Sequence, residues 1–120
     1  MIVSANERKT TIRENVKGGP GILVCLDCIG KNGKISTEDT LGKIGTLTEM
    51  MIPVGYGIGK HIHTEDAELF YVMDGELTIV DDDQEYVLHR GDLNYCCCGG
   101  SHELINKGKE AVTVLCAVIK

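Results

Sequence analysis

Between glycines and short polar clusters the chain carries runs rich in Val, Ile, Leu, Thr and Tyr. They fall at residues 21–29, 43–52, 67–73, 76–80, 84–88, 92–97, 101–105 and 111–119. These are strand lengths, punctuated by turn residues at regular intervals. No stretch of a dozen residues combines a helical apolar period with helix caps. Asp81-Asp82-Asp83 and the segment 106–109 (Asn-Lys-Gly-Lys) read as solvated hairpin tips. Many short strands with tight turns and no helix predict an all-β antiparallel sandwich or barrel. The run 111–119 is apolar on both faces, so it belongs inside the sandwich or against a partner subunit. The first 20 residues are polar and basic, with one strand expected at 10–13, and Gly18-Gly19-Pro20-Gly21 separates them from the rest. The expected organisation is an N-terminal arm at 1–20, able to exchange between subunits of a dimer, and a barrel at 21–120.

Size and charge narrow the class. At 120 residues there is room for one domain, and 42% apolar residues suffice for one core. A net charge of −6 argues against a nucleic-acid partner. The longest apolar runs are well short of the ~20 residues of a membrane helix. The first nine residues lack the ordered regions of an export signal, which predicts a cytoplasmic protein with no membrane partner. The six cysteines therefore read as free thiols. Cys25 and Cys28 form a lone CxxC in a strand-like run, where i and i+3 point to opposite faces, so core packing is the expectation. If residues 92–98 are extended, Cys96 and Cys98 share one face and Cys97 the other with Tyr95. Redox sensing or a second metal is one reading of this triplet, simple packing of small soft side chains the other, and packing is preferred.

The chemistry concentrates between Gly55 and Asn106. His61 and His63 are at i and i+2, so on a strand they project from one face with Cα atoms ~6–7 Å apart. Glu68 follows a polar turn that can bring it back beside them, and His102 opens another strand after Gly99-Gly100-Ser101. Three imidazoles and a carboxylate suit one divalent transition metal ion: Fe, Mn, Co, Ni, Cu or Zn. Gly55-Tyr56-Gly57-Ile58-Gly59-Lys60 is not a phosphate loop, because histidine follows the lysine and no helix is expected. Its glycines read instead as a mobile lip leading to the first ligand strand. His89, beside Arg90, is expected in solvent.

These residues resemble the two motifs of the cupins, a family of small double-stranded β-helix (jelly-roll) barrels. Gly55, His61, His63, Glu68 and Gly75 meet every spacing of the first motif. Gly91, Gly99, His102 and Asn106 meet the second, with Cys97 where proline is usual. Only 15 residues separate the motifs, as in compact single-domain prokaryotic members. The resemblance implies a cupin barrel with His61, His63, Glu68 and His102 as metal ligands, commonly assembled as a homodimer.

On a strand, Phe70 and Val72 share the face of Glu68 and should line an apolar pocket, with Tyr95 and the Met50/Ile52 face as further candidates. The chain has three arginines, Arg8, Arg13 and Arg90, none in the middle of a predicted barrel strand. This weakens oxalate decarboxylase-like and phosphomannose isomerase-like readings, unless an exchanged arm brings Arg13 to a pocket. No separate general base is identifiable. The expected function is binding of a small carboxylate- or carbonyl-bearing ligand at a His₃Glu metal centre, for oxygenation, decarboxylation or isomerisation. The rival is a non-catalytic, metal-dependent binding or sensing module.

Overall fold

A computed structural model describes residues 1–120. Ten strands form in chain order: β1 (Lys9–Glu14), β2 (Ile22–Ile29), β3 (Ile44–Ile52), β4 (Gly57–Ile62), β5 (Ala67–Asp74), β6 (Leu77–Asp81), β7 (Gln84–Leu88), β8 (Leu93–Cys96), β9 (Ser101–Ile105) and β10 (Val112–Ile119). Three single 3-10 turns, at Ala5–Glu7, Val16–Gly18 and Glu38–Thr40, are the only helical elements. No helix is long and apolar enough to cross a membrane.

All strand pairings are antiparallel, in a six-stranded sheet ordered β1-β2-β3-β10-β5-β8 and a four-stranded sheet ordered β4-β9-β6-β7. The two inner faces close into a jelly-roll barrel. Period-2 alternation delivers Leu23 and Cys25, Met50 and Ile52, Phe70 and Val72, and Val112, Val114 and Cys116 to the core from one sheet. Ile58, Leu77, Ile79 and Leu104 meet them from the other. β10 lies inside the larger sheet between β3 and β5; its Val112, Val114 and Cys116 face is buried, while Thr113, Leu115 and Ala117 on the other face are half-buried.

The turns follow from their residues. Asp82 and Asp83 both take positive φ (46° and 67°), the mirror-image hairpin geometry that joins β6 to β7. Asn106, fully buried, donates through Nδ2 to the carbonyls of Ile52 (2.9 Å) and Glu110 (2.7 Å), and its Oδ1 accepts from the Gly108 N–H. It fastens the β9–β10 turn to the end of β3.

Gly57 and Gly59 do not form a lip: residues 57–62 are β4, paired with β9, and only Gly55 of the segment lies in a turn, at positive φ. The two strand glycines serve close backbone approach instead. A Cβ on Gly59 would stand 2.0 Å from the Lys17 carbonyl oxygen, and one on Gly19 2.6 Å from the Gly59 nitrogen. The turn at Val16–Gly18 thus packs directly on β4, while β1 pairs with β2 of the same chain.

Candidate metal centre

His61 is the penultimate residue of β4 and the register partner of His102 on β9. His63 follows β4 immediately, and Glu68 is the second residue of β5 in the opposite sheet. The site therefore bridges both sheets at one mouth of the barrel. One ligating atom from each of His61, His63, Glu68 and His102 lies within 4.8 Å of all the others. Glu68 Oε1 is 3.0 Å from His61 Nε2, 3.2 Å from His63 Nε2 and 3.0 Å from His102 Nε2.

What stands behind each ring fixes what points inward. His61 Nδ1 donates to the Gly59 carbonyl (2.8 Å), His63 Nδ1 to Asp66 Oδ1 (2.7 Å) and His102 Nδ1 to Asn94 Oδ1 (2.7 Å). The orientation of Asn94 is determined, because its Nδ2 donates to Asp81 Oδ2 at 2.7 Å. With all three Nδ1 atoms protonated, neutral rings turn three Nε2 lone pairs and a carboxylate oxygen on one point. Acceptors so arranged repel unless a cation stands among them, so the donor set fits a metal ion. Burial opposes charging His61, yet its bonds to Glu68 and the Gly59 carbonyl outweigh this and raise its pKa above 6.5. Burial likewise opposes ionising Glu68, but His102 and His61 hold it well below the usual carboxylate range.

His61, His63 and Glu68 line a cavity of about 180 Å³, room for about six waters at ~30 Å³ each, whereas His102, 1% exposed, does not reach its surface. Leu23, Met50, Ile58 and Val16 supply apolar wall, and Arg13 and Lys17 stand on it as cations. Arg13 reaches the pocket from β1 of its own chain, without exchange between subunits. It pairs with Asp27 (Nη2 to Oδ1, 2.8 Å), a 2%-exposed carboxylate that also accepts from Thr11 Oγ1 at 2.7 Å. Cys116 donates its S–H to the other oxygen of Glu68, Oε2, at 3.6 Å.

The remaining pocket candidates separate. Phe70 is fully buried with its ring centroid 5.3 Å from that of His102, so it backs the cluster. Val72 and Ile52 lie deeper in the core and do not line the cavity, whereas Met50 does. Tyr95 points the other way: its β8 neighbours Asn94 and Cys96 face inward, and it stands 52% exposed on the outer face of the large sheet. The strand ends at Cys96, and Cys98 turns to a φ of +60°, so Cys97 and Cys98 do not alternate between faces. Asp66, Asn94 and Asp27 escaped the sequence reading because nothing local marks an acid or amide as the partner of a histidine elsewhere. For Asp66 alone a signal existed, its i+3 spacing from His63.

Comparison with known proteins agrees with this architecture. The model of the cupin domain matches residues 48–118. A Thermotoga maritima oxalate-binding protein is 25% identical over 119 residues, covering 99% of this chain and 93% of its own. A crystal structure described as a predicted oxalate decarboxylase, also from Thermotoga maritima, superposes with a TM-score of 0.88 at 25% identity, covering 99% and 98% of the two chains. The Schizosaccharomyces pombe Cnp3 cupin domain shares the fold alone, with a TM-score of 0.68 at 11% identity over 92% of this chain and 68% of that one. The chain belongs to the cupin family.

Proposed function

We propose that this cupin holds one divalent transition metal ion on His61, His63, Glu68 and His102 and binds a small carboxylate there. The observation that carries the reading is the convergence of three Nε2 lone pairs and Oε1, each ring fixed from behind, at the floor of a cavity with Arg13 and Lys17 on its wall. When bound, such an ion supplies a Lewis acid to a coordinating carboxylate or carbonyl oxygen. The chain's own residues do the rest. Leu23, Met50 and Ile58 limit ligand size and exclude water, and Arg13 and Lys17 offset anionic charge in a protein of net charge −6. The oxalate-binding protein of Thermotoga maritima makes oxalate the first ligand to test.

Binding without turnover is favoured by one feature: both carboxylates lining the cavity are engaged, Glu68 in the cluster and Asp66 on His63 Nδ1. A cupin that isomerises or decarboxylates its ligand by general acid–base catalysis would use a free acid or base within reach of it. We assign residues 21–120 to the barrel and 1–20 to an arm that completes the cavity wall. A homodimer would cover the outer face of the large sheet, where Ile12, Met51, Tyr71, Met73 and Leu93 are exposed together. A cytoplasmic location accords with the free thiols.

Elemental analysis of anaerobically purified protein beside His61→Ala tests the first claim. Near-stoichiometric metal, lost in the variant, is the expected result; no metal after reconstitution with each candidate ion overturns it. Calorimetric titration of the metal-loaded protein with oxalate tests the second, with Arg13→Ala expected to weaken binding. Product analysis after prolonged incubation separates binding from turnover, and light scattering reads the assembly.

A further inference from the structure

The triplet Cys96-Cys97-Cys98 lies outside the cavity and takes no part in the proposed binding. Its three thiols are not equivalent. Cys96 faces inward opposite Glu68 and is buried, whereas Cys97 is half-buried and Cys98 exposed. Because β8 stops at Cys96 and Cys98 adopts a left-handed backbone, the Sγ atoms of Cys97 and Cys98 meet at 2.7 Å, against ~2.04 Å in a formed disulfide. Hydrogen bonds from Cys98 and then Tyr95 hold the Cys97 thiol below its ordinary range, favouring the nucleophilic thiolate.

The loop that carries this pair is tied to a candidate ligand. The Gly99 N–H donates to the His63 carbonyl (2.8 Å) and the His63 N–H to the Gly100 carbonyl (3.2 Å), while the Gly100 N–H donates to the Cys97 carbonyl (3.0 Å). The next residues are Ser101, whose N–H is anchored on Asp82 Oδ1 at 2.9 Å, and His102. A change at Cys97–Cys98 therefore has a short hydrogen-bonded route to two of the four converging imidazole and carboxylate groups.

We infer that Cys97 and Cys98 form a reversible oxidation site for peroxides, closing to a vicinal disulfide that loosens the metal centre through His63. The chemistry balances in two steps. The Cys97 thiolate attacks one peroxide oxygen; the O–O bond breaks, an S–O bond forms, and the departing hydroxide takes a proton to leave as water. Cys98 then attacks the Cys97 sulfur; the S–O bond breaks, and hydroxide leaves as water with the Cys98 proton. Two thiols and one hydrogen peroxide give one disulfide and two waters, the sulfurs losing two electrons to the peroxide. Adjacent Cα atoms are held ~3.8 Å apart, below the ~4.4 Å minimum of ordinary disulfides. Closure therefore twists the backbone that holds His63, and the bond is strained and readily reduced by thiols.

The coupling to the metal rests on the metal-binding reading above; the disulfide does not, and the two readouts keep them apart. Full-length protein is treated with equimolar hydrogen peroxide, thiol-blocked and measured by intact and peptide mass, beside Cys96→Ala, Cys97→Ser and Cys98→Ser. The expected result is loss of two hydrogens within one chain, kept in Cys96→Ala, abolished in both serine variants and reversed by dithiothreitol. No such loss, only higher oxidation states, or only bridges between chains overturns the assignment. Zinc affinity of the oxidised wild type, by chelator competition, should fall about tenfold, the scale seen when support behind a metal ligand is disturbed. It should recover on reduction and stay constant in peroxide-treated Cys98→Ser. Disulfide formation with unchanged zinc affinity overturns the coupling.

Discussion

Asn94→Leu tests whether the metal centre depends on the groups behind its ligands. Asn94 is buried and holds the centre of a relay, accepting from His102 Nδ1 at 2.7 Å and donating to Asp81 Oδ2 at 2.7 Å. Leucine conserves volume but removes both bonds, freeing the His102 ring to turn or change tautomer and withdrawing its Nε2 lone pair from the cluster. Loss of such an outer partner costs ~10–100-fold in metal affinity, or about 1.4–2.7 kcal/mol. The stability cost is separate. The His102 N–H left unsatisfied costs about 1–3 kcal/mol, and the half-exposed Asp81 less because water reaches it. A domain with ~5–15 kcal/mol of stability survives that.

The assay reads the metal-induced rise in melting temperature at fixed free zinc. At one hundred times the wild-type Kd, metal stabilises by ~2.7 kcal/mol; a Kd raised a hundredfold leaves only ~0.4 kcal/mol. At ~4 °C per kcal/mol the rise shrinks from roughly 10 °C to roughly 2 °C. Val112→Ala controls for destabilisation alone, because Val112 is fully buried at the far end of β10 from Cys116 and the cluster. It should melt earlier yet keep its full metal response. An Asn94→Leu protein with wild-type Kd and an undiminished rise would refute the reasoning.

Other perturbations probe other parts of the molecule. Phe70→Ala removes a fully buried ring packed on His102 and should cost ~3–5 kcal/mol, read as a lower urea midpoint with little change in slope. Gly59→Ala drives a methyl group into the Lys17 carbonyl and should cost ~1–3 kcal/mol, with faster proteolysis of the first 20 residues as the arm lifts from β4. Near neutral pH iodoacetamide should label Cys97 first, since its thiol is held below the ordinary range. Cys96, raised to about 11 by burial and then by the charges of Asp81 and Asp82, and Cys116, pushed up strongly by burial, should label only after denaturation. Rapid labelling of Cys116 in folded protein would show that the cavity opens far more than its walls imply.

Strand positions were legible because each run is bounded by residues with turn chemistry, and the core because alternation on ten short strands leaves few registers that bury it. The four converging groups were legible because one histidine pair and one turn are local, and because the spacing to His102 matches a known pattern. What the sequence hid is what depends on non-local approach. Arg13 reads as part of a polar arm, yet the pairing of β1 with β2 sets it beside Asp27 on the cavity wall. Tyr95 failed as a pocket residue because the inward phase of β8 is set by pairing Phe70 with Asn94 and Glu68 with Cys96, which no property of residues 92–97 fixes alone. The glycine-rich segment before His61 looked mobile because glycine marks both loose loops and close packing, and only the neighbours Lys17 and Leu104 tell these apart.

The cavity's charge follows from how the sheet is paired rather than from any one residue. Across the large sheet Asp27 is the register partner of Thr48, Thr48 of Cys116 and Cys116 of Phe70, so one inward row runs from a buried carboxylate to the ring behind His102. An uncompensated Asp27 at 2% exposure would be costly, and Arg13 and Thr11 from the arm satisfy it. That pairing consumes part of the Arg13 charge while fixing its guanidinium at the cavity. On the proposed reading an incoming carboxylate would meet a cation already oriented by Asp27 and partly neutralised by it. Such a site would discriminate by geometry more than by charge: a ligand able to reach Arg13 and a metal on the His/Glu cluster at once would gain from both, and one too short to span them would gain from the metal alone. On the proposed reading the arm is part of the recognition surface, and its close contact with β4 through Gly19 and Gly59 would link ligand binding to the order of the first 20 residues.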